Sequence, residues 1–144
     1  MKGLLLQAAL RYDDPDGFDA ETSAHLGASY EFGPGLTLAG NWGQAFKLPS
    51  FFALGHALVG NPQLQPEKAD AWDLGLAWEA SPGLSLGATY FYNDFEGLIT
   101  FDDEAFVNVN QDRVETSGVE LQALWLPLER LSLQAQAKIG RAHV

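Results

Sequence analysis

Apolar and polar residues alternate one by one along almost the whole of this chain, and few patterns restrict a fold more. Leu4, Leu6, Ala8, Leu10 and Tyr12 are separated by Gly3, Leu5, Gln7, Ala9 and Arg11. Trp72, Leu74, Leu76, Trp78 and Ala80 are separated by Asp73, Gly75, Ala77 and Glu79. An amphipathic helix would repeat its apolar positions every 3.6 residues, whereas a strand turns successive side chains to opposite faces. A period of two held this long predicts an all-β chain, antiparallel, with one apolar and one polar face.

The breaks in the pattern mark the connections. Gly33-Pro34-Gly35, Ser81-Pro82-Gly83 and the stretch 126–130 around Pro127 read as short turns. Residues 13–21, 47–68 and 95–113 read as long loops. About seven strands fit between them, each about 9 to 12 residues long, where soluble strands average about 5 or 6.

Alternation by itself favours a soluble β-sandwich over a membrane barrel. Three features favour the barrel. The strands have the length needed to cross a bilayer at a tilt of roughly 40°. Short turns alternate with long loops, as in barrels with one simple and one elaborate rim. Tyr12, Tyr30, Phe32, Trp72, Trp78, Tyr90, Tyr92 and Trp125 stand near strand ends on the apolar face, where amphipathic rings meet headgroups. The other face is small and polar and carries Glu31, Asp73, Glu79 and Glu120, which suits a wet or plugged lumen better than a sandwich core.

Two proline-bearing stretches flank the longest loop. The first is Phe46-Lys47-Leu48-Pro49-Ser50 and the second is Asn61-Pro62-Gln63-Leu64-Gln65-Pro66-Glu67. Each Pro fixes its own φ, holds the preceding residue extended and removes a ladder donor, so the segment is a shaped loop that delivers the chain into a new strand near Ala69. With Trp72-Asp73-Leu74-Gly75, the run from Tyr90-Phe91-Tyr92-Asn93 to Ile99, and Gly118-Val119-Glu120, these stretches resemble the barrel of TonB-dependent outer-membrane receptors. The departures are Lys47 for Arg, Leu48 for Ala, Asp73 for Glu and an inserted Ser117.

The resemblance implies an antiparallel up-and-down transmembrane β-barrel, here partial, over residues 1–138. It implies a Gram-negative outer-membrane receptor for TonB-energised uptake of a scarce nutrient such as a ferric siderophore or a cobalamin-like complex. Its partners would be outer-membrane lipid, a metal-chelate ligand and, through a plug region that this sequence does not include, the TonB complex. The motif residues carried over are Phe46, Pro49, Ser50, Asn61, Pro62, Leu64, Pro66, Glu67, Gly118 and Glu120. Phe51, Phe52 and His56, lying between the two proline stretches, are the candidate substrate contacts. For the two phenylalanines the favoured reading is that they pack the loop onto its neighbours. The alternative function is a soluble or surface β-sandwich that binds a ligand.

Other classes find little support. The chain has no Cys, which excludes a disulfide framework and thiol chemistry. A formal net charge of −11 argues against nucleic acid. No Gly-x-Ser-x-Gly elbow, phosphate-binding Gly loop or catalytic grouping around His25 or His56 occurs, so no enzyme, cofactor or metal site is expected. The acidic runs at 13–19 and 102–104 lack calcium-loop spacing and read as solvated. Met1–Leu10 is too short and too interrupted for a signal peptide, and Met1 is expected to be an internal Met or a truncated start. Residues 139–144 break the alternation, match a reading frame of a sequencing adapter and are expected to be a scar.

Overall fold

A computed structural model describes residues 3–128 and 130–143. Seven strands follow one another: β1 (Leu4–Asp13), β2 (Glu21–Gly33), β3 (Leu36–Lys47), β4 (Glu67–Ser81), β5 (Leu84–Asp102), β6 (Val107–Leu128) and β7 (Leu131–His143). One short helix, α1 (Phe51–Gly55), interrupts the connection from β3 to β4. Every strand pairs antiparallel with its sequence neighbours, in the order β1-β2-β3-β4-β5-β6-β7. The sandwich alternative needs a second sheet, and all the described strands lie in one.

The register explains why the alternation matters. Leu4, Tyr30, Leu38, Leu76, Ala88, Leu121 and Ala137 are successive cross-strand partners, so the apolar sets of all seven strands fall on a single face. On the opposite face Ser29, Ala39, Gly75, Thr89, Glu120 and Lys138 form the matching row. A slip of one residue at any strand would reverse its faces. The apolar face has no cover: Leu74 is 50% exposed and Leu76 45%. Among the described residues the buried apolar side chains are Pro49, Ala53 and Leu64, all in the β3–β4 connection. The well-packed part of this chain is therefore a loop, not an interface between layers.

Two expectations need correction. The long loop expected over residues 95–113 is mostly paired: the β5–β6 register runs on from Phe95↔Val114 to Asp102↔Val107. Only a tight turn remains, in which Asp102 Oδ1 accepts from Glu104 N at 2.9 Å and Ala105 N at 3.0 Å. Phe106 takes a left-handed φ of 57° there, and its ring meets Phe101 edge-on at 5.2 Å. The Asp, Asn and Gly content of this hairpin lowers its strand propensity, and the docked loop supplies the compensating contacts. The connection 47–68 is also not all loop, since Ser50 starts a helix there. The turn expected at 126–130 includes Glu129, which lies outside the described residues, as do Met1 and Val144. β7 runs through the segment expected to be a scar, with Ile139 opposite Val119 and His143 opposite Glu115.

Candidate functional site: the clasped loop and its exposed aromatic rim

Long connections and the extended β5–β6 hairpin stand at one end of the sheet, beyond Tyr12, Trp72 and Tyr92. The proline stretches build the site there. Pro49 ends β3 and Ser50, in an extended conformation, caps α1: its Oγ accepts from Ala53 N at 3.1 Å. The helix closes with His56 N donating to Phe52 O at 3.1 Å, and the chain folds back on itself with Gly60 N donating to His56 O at 2.8 Å and Asn61 N to Ala53 O at 2.8 Å. A Cβ at Gly60 would lie 2.5 Å from His56 N and O, so the reversal requires glycine.

The second proline stretch fastens this folded loop to the hairpin. Asn61 Oδ1 accepts from Gln63 N at 2.9 Å, forming an Asx turn, while its Nδ2 donates to Asn108 O at 2.9 Å. Asn108 answers through its backbone N and its Nδ2, which donate to Val59 O at 3.1 and 2.8 Å. Asn110 takes the place of a missing strand: its Oδ1 accepts from Gln65 N at 2.9 Å and its Nδ2 donates to Gln65 O at 3.0 Å and Gly97 O at 2.6 Å. Leu64, 2% exposed, fills the space under the loop. Glu67 closes the joint. Its Oε2 accepts from Lys47 Nζ at 2.8 Å and its Oε1 from Ile99 N at 2.8 Å. Burial alone would raise the Glu67 carboxyl, but the bonds from Lys47 and Ile99 outweigh it and hold the group below the usual glutamate range.

Pro49, Ser50, Asn61, Leu64, Pro66 and Glu67 are thus parts of one structural clasp, whereas Phe46, opposite Lys68, lies on the other face of the sheet from Lys47 and Glu67. Pro62 is exposed on its surface. Gly118 and Glu120 lie elsewhere, on the polar face of the sheet. Gly118 sits under the Phe91 ring, where an added Cβ would meet Phe91 Cζ at 2.7 Å. Glu120 pairs with Lys138 at 2.5 Å, and Lys138 Nζ stands 4.3 Å from the centre of the Phe91 ring. The candidate contacts behave differently. Phe51 is 95% exposed and Phe52 63%, and the Phe52 ring meets that of His56 at a tilt, with centres 4.6 Å apart. Leu58, also exposed, extends the patch, and Val59 ties it to Asn108, two residues from the exposed Phe106. The two phenylalanines therefore project outward and do not pack the loop onto its neighbours.

Sequence reasoning missed Asn108 and Asn110. Their spacing was a usable signal: in Val107-Asn108-Val109-Asn110 the two amides recur at period two and fall on one face of a strand. Also missed was a charged cluster just beyond Tyr92 on the otherwise apolar face. Arg113 grips Asp94 through two bonds of 2.8 and 2.6 Å and reaches Glu115 at 3.0 Å. The hydrogen bond from Arg113 holds the Asp94 carboxyl below its ordinary range.

Residues 1–138 match the family model described as TonB dependent receptor-like, beta-barrel. The siderophore receptor PirA from Pseudomonas aeruginosa is 28% identical, with a TM-score of 0.86 over 97% of this chain. A mutant of the ferric enterobactin receptor PfeA from Pseudomonas aeruginosa, solved with enterobactin, is 21% identical over 94% of this chain at a TM-score of 0.78. The copper transporter OprC shares the fold at 20% identity, with a TM-score of 0.71 over 98% of this chain. The chain spans only 29%, 24% and 25% of these three proteins.

Proposed function

The chain belongs to the TonB-dependent receptor β-barrel family, and we propose that it forms part of the wall and outer rim of a receptor that takes up a metal chelate across a Gram-negative outer membrane. The observation that carries this reading is an uncovered apolar face bounded by aromatic rings on a sheet with two open edges. β1 and β7 are exposed almost throughout. Seven strands cannot close, and an open edge in hydrocarbon leaves backbone groups without partners. Pairing with further strands of a barrel of about 22, the size of plugged outer-membrane transporters, removes both edges.

The apolar band fits lipid. From Trp72 to Ala80 the apolar positions of β4 span about 27 Å along the strand, or about 21 Å in height at a tilt of about 40°, against an apolar belt of about 25 Å in outer-membrane barrels. Beyond Trp72 and Tyr92 the same face turns charged, with Asp70, Asp94, Arg113 and Glu115, as it would on leaving the hydrocarbon. The polar face then lines the lumen. The clasped loop stands at the outer rim, and Phe51, Phe52 and His56 meet the cargo. Transport would be driven by the TonB complex acting on a plug inside the barrel.

The test is uptake of radiolabelled iron chelates by cells carrying or lacking the full receptor, with and without a working TonB complex. Loss of uptake in both deletions supports the reading. Uptake of every chelate that ignores both deletions refutes it.

A further inference from the structure

The rim's aromatic patch lies among stretches of the chain that are strongly acidic. Residues 13–21, 47–68 and 93–116 contain 13 of the chain's 19 acidic side chains but only three of its eight basic ones. Each of those three cations is already engaged. Lys47 pairs with Glu67 at 2.8 Å, Lys68 with Glu21 at 2.6 Å and Arg113 with Asp94 at 2.6 Å. An anionic ligand arriving at this part of the rim finds no free cation among the described residues, while Asp103 and Glu104 stand exposed beside Phe106.

The patch itself is apolar and accessible. Phe51, Phe52 and Leu58 are exposed on the folded loop, and Phe106, backed edge-on by Phe101, is exposed on the hairpin to which that loop is bonded. Phe106 holds a left-handed backbone that a bulky residue rarely adopts, so the turn presents this ring at a conformational cost. Open aromatic faces in a negative field attract cations, by cation–π contact at short range and by steering at long range.

Resting on the uptake reading above, we propose that this rim docks a metal chelate of net positive charge with apolar faces. A polyanionic catecholate complex is the cargo it disfavours. The patch binds the chelate's hydrophobic ligand surface, and the acidic turn at 102–104 offsets its charge. An anionic chelate of the same size would meet the same rings but be repelled by the turn.

The experiment measures binding of two inert probes to the full receptor in detergent. One is the dicationic tris(bipyridine)ruthenium(II). The other is its bulkier tetra-anionic counterpart carrying bathophenanthroline disulfonates. The expected result is preferential binding of the dication, weakened by added salt. Phe52→Ala with Phe106→Ala should weaken it by about fivefold, in line with loss of two exposed cation–π contacts. Asp103→Asn with Glu104→Gln should weaken it by about threefold and flatten its salt dependence. Unchanged β-sheet circular dichroism identifies variants that have kept their fold. Equal or tighter binding of the anion overturns the inference while leaving uptake intact. Binding of neither probe, or binding indifferent to both double variants, also overturns it, and the chelate-uptake assay then decides the broader reading separately.

Discussion

Replacing Leu76 with arginine probes the face assignment most directly, because the cost of a cation on the lipid side of a barrel depends on depth. Leu76 lies midway along the apolar run from Trp72 to Ala80, opposite Leu38 on one side and Ala88 on the other. It is 45% exposed, with no neighbouring carboxylate in its cross-strand row. An arginine at the midplane of a barrel wall costs about 2–4 kcal/mol, falling to about 0–1 kcal/mol near the interface. Leu86 faces Trp78 close to the aromatic boundary, so Leu86→Arg should cost no more than about 1 kcal/mol. Ser85 points to the other face directly opposite Glu79, so Ser85→Arg should gain an ion pair and cost almost nothing. The assay is reversible unfolding of the full receptor in urea with lipid bilayers present, comparing midpoints and slopes. The order Leu76→Arg, then Leu86→Arg, then Ser85→Arg is the signature of lipid contact. Equal damage at Leu76 and Ser85, or a midpoint unmoved by Leu76→Arg, would refute the argument.

The clasp should fail locally, without unfolding the sheet. Leu64→Ala removes the most buried side chain, and a loss of about 2–4 kcal/mol should appear as faster proteolytic nicking within 48–66 at an unchanged global midpoint. Asn110→Ala strips partners from Gln65 and Gly97, and about 1–3 kcal/mol of loop stability should go with them, read by faster amide exchange at Gln65. Acid should open the same joint. Glu67 has its pKa lowered in the folded state, so its contribution is complete above the unfolded value of about 4.3 and is lost as pH falls through the lowered folded value. Nicking within 48–66 should therefore be flat from neutral pH to about 5 and rise below about 4, and Glu67→Gln should abolish that dependence.

The sheet was readable in the sequence because each of its strands repeats one instruction. Trp72, Leu74 and Leu76 define a face by spacing alone, and the short Ser81-Pro82-Gly83 turn forces the next strand into register, so pattern and topology reinforce each other. The rim was less legible, for two different physical reasons. In the β5–β6 extension, Gly97, Asp102 and Asn110 suppress local strand propensity, and pairing is supported from outside by the loop bonded to Asn108 and Asn110. Those bonds join residues 45 and 47 positions apart, at Gln65–Asn110 and Asn61–Asn108, and no local pattern encodes them. The helix at Phe51–Gly55 is a single turn started by Ser50, too short to show a helical period.

The division of labour within the loop follows from where its free energy lies. Residues of the two proline stretches have their polar groups paired and Leu64 buried, so changing them alters how the rim is held. Phe51, Phe52 and Leu58 contribute almost nothing to that hold, because they make little contact and leave large apolar area in water at about 25 cal/mol per Å². A surface kept exposed at that cost, on a loop otherwise fastened at Asn61, Leu64 and Glu67, gains stability only when something covers it. Binding energy at this rim would therefore come from the aromatic residues, while the clasp sets how little conformational entropy is lost when they engage. Loosening the clasp should weaken binding of a cargo without removing a single contact to it, and stripping the rings should weaken binding without loosening the clasp.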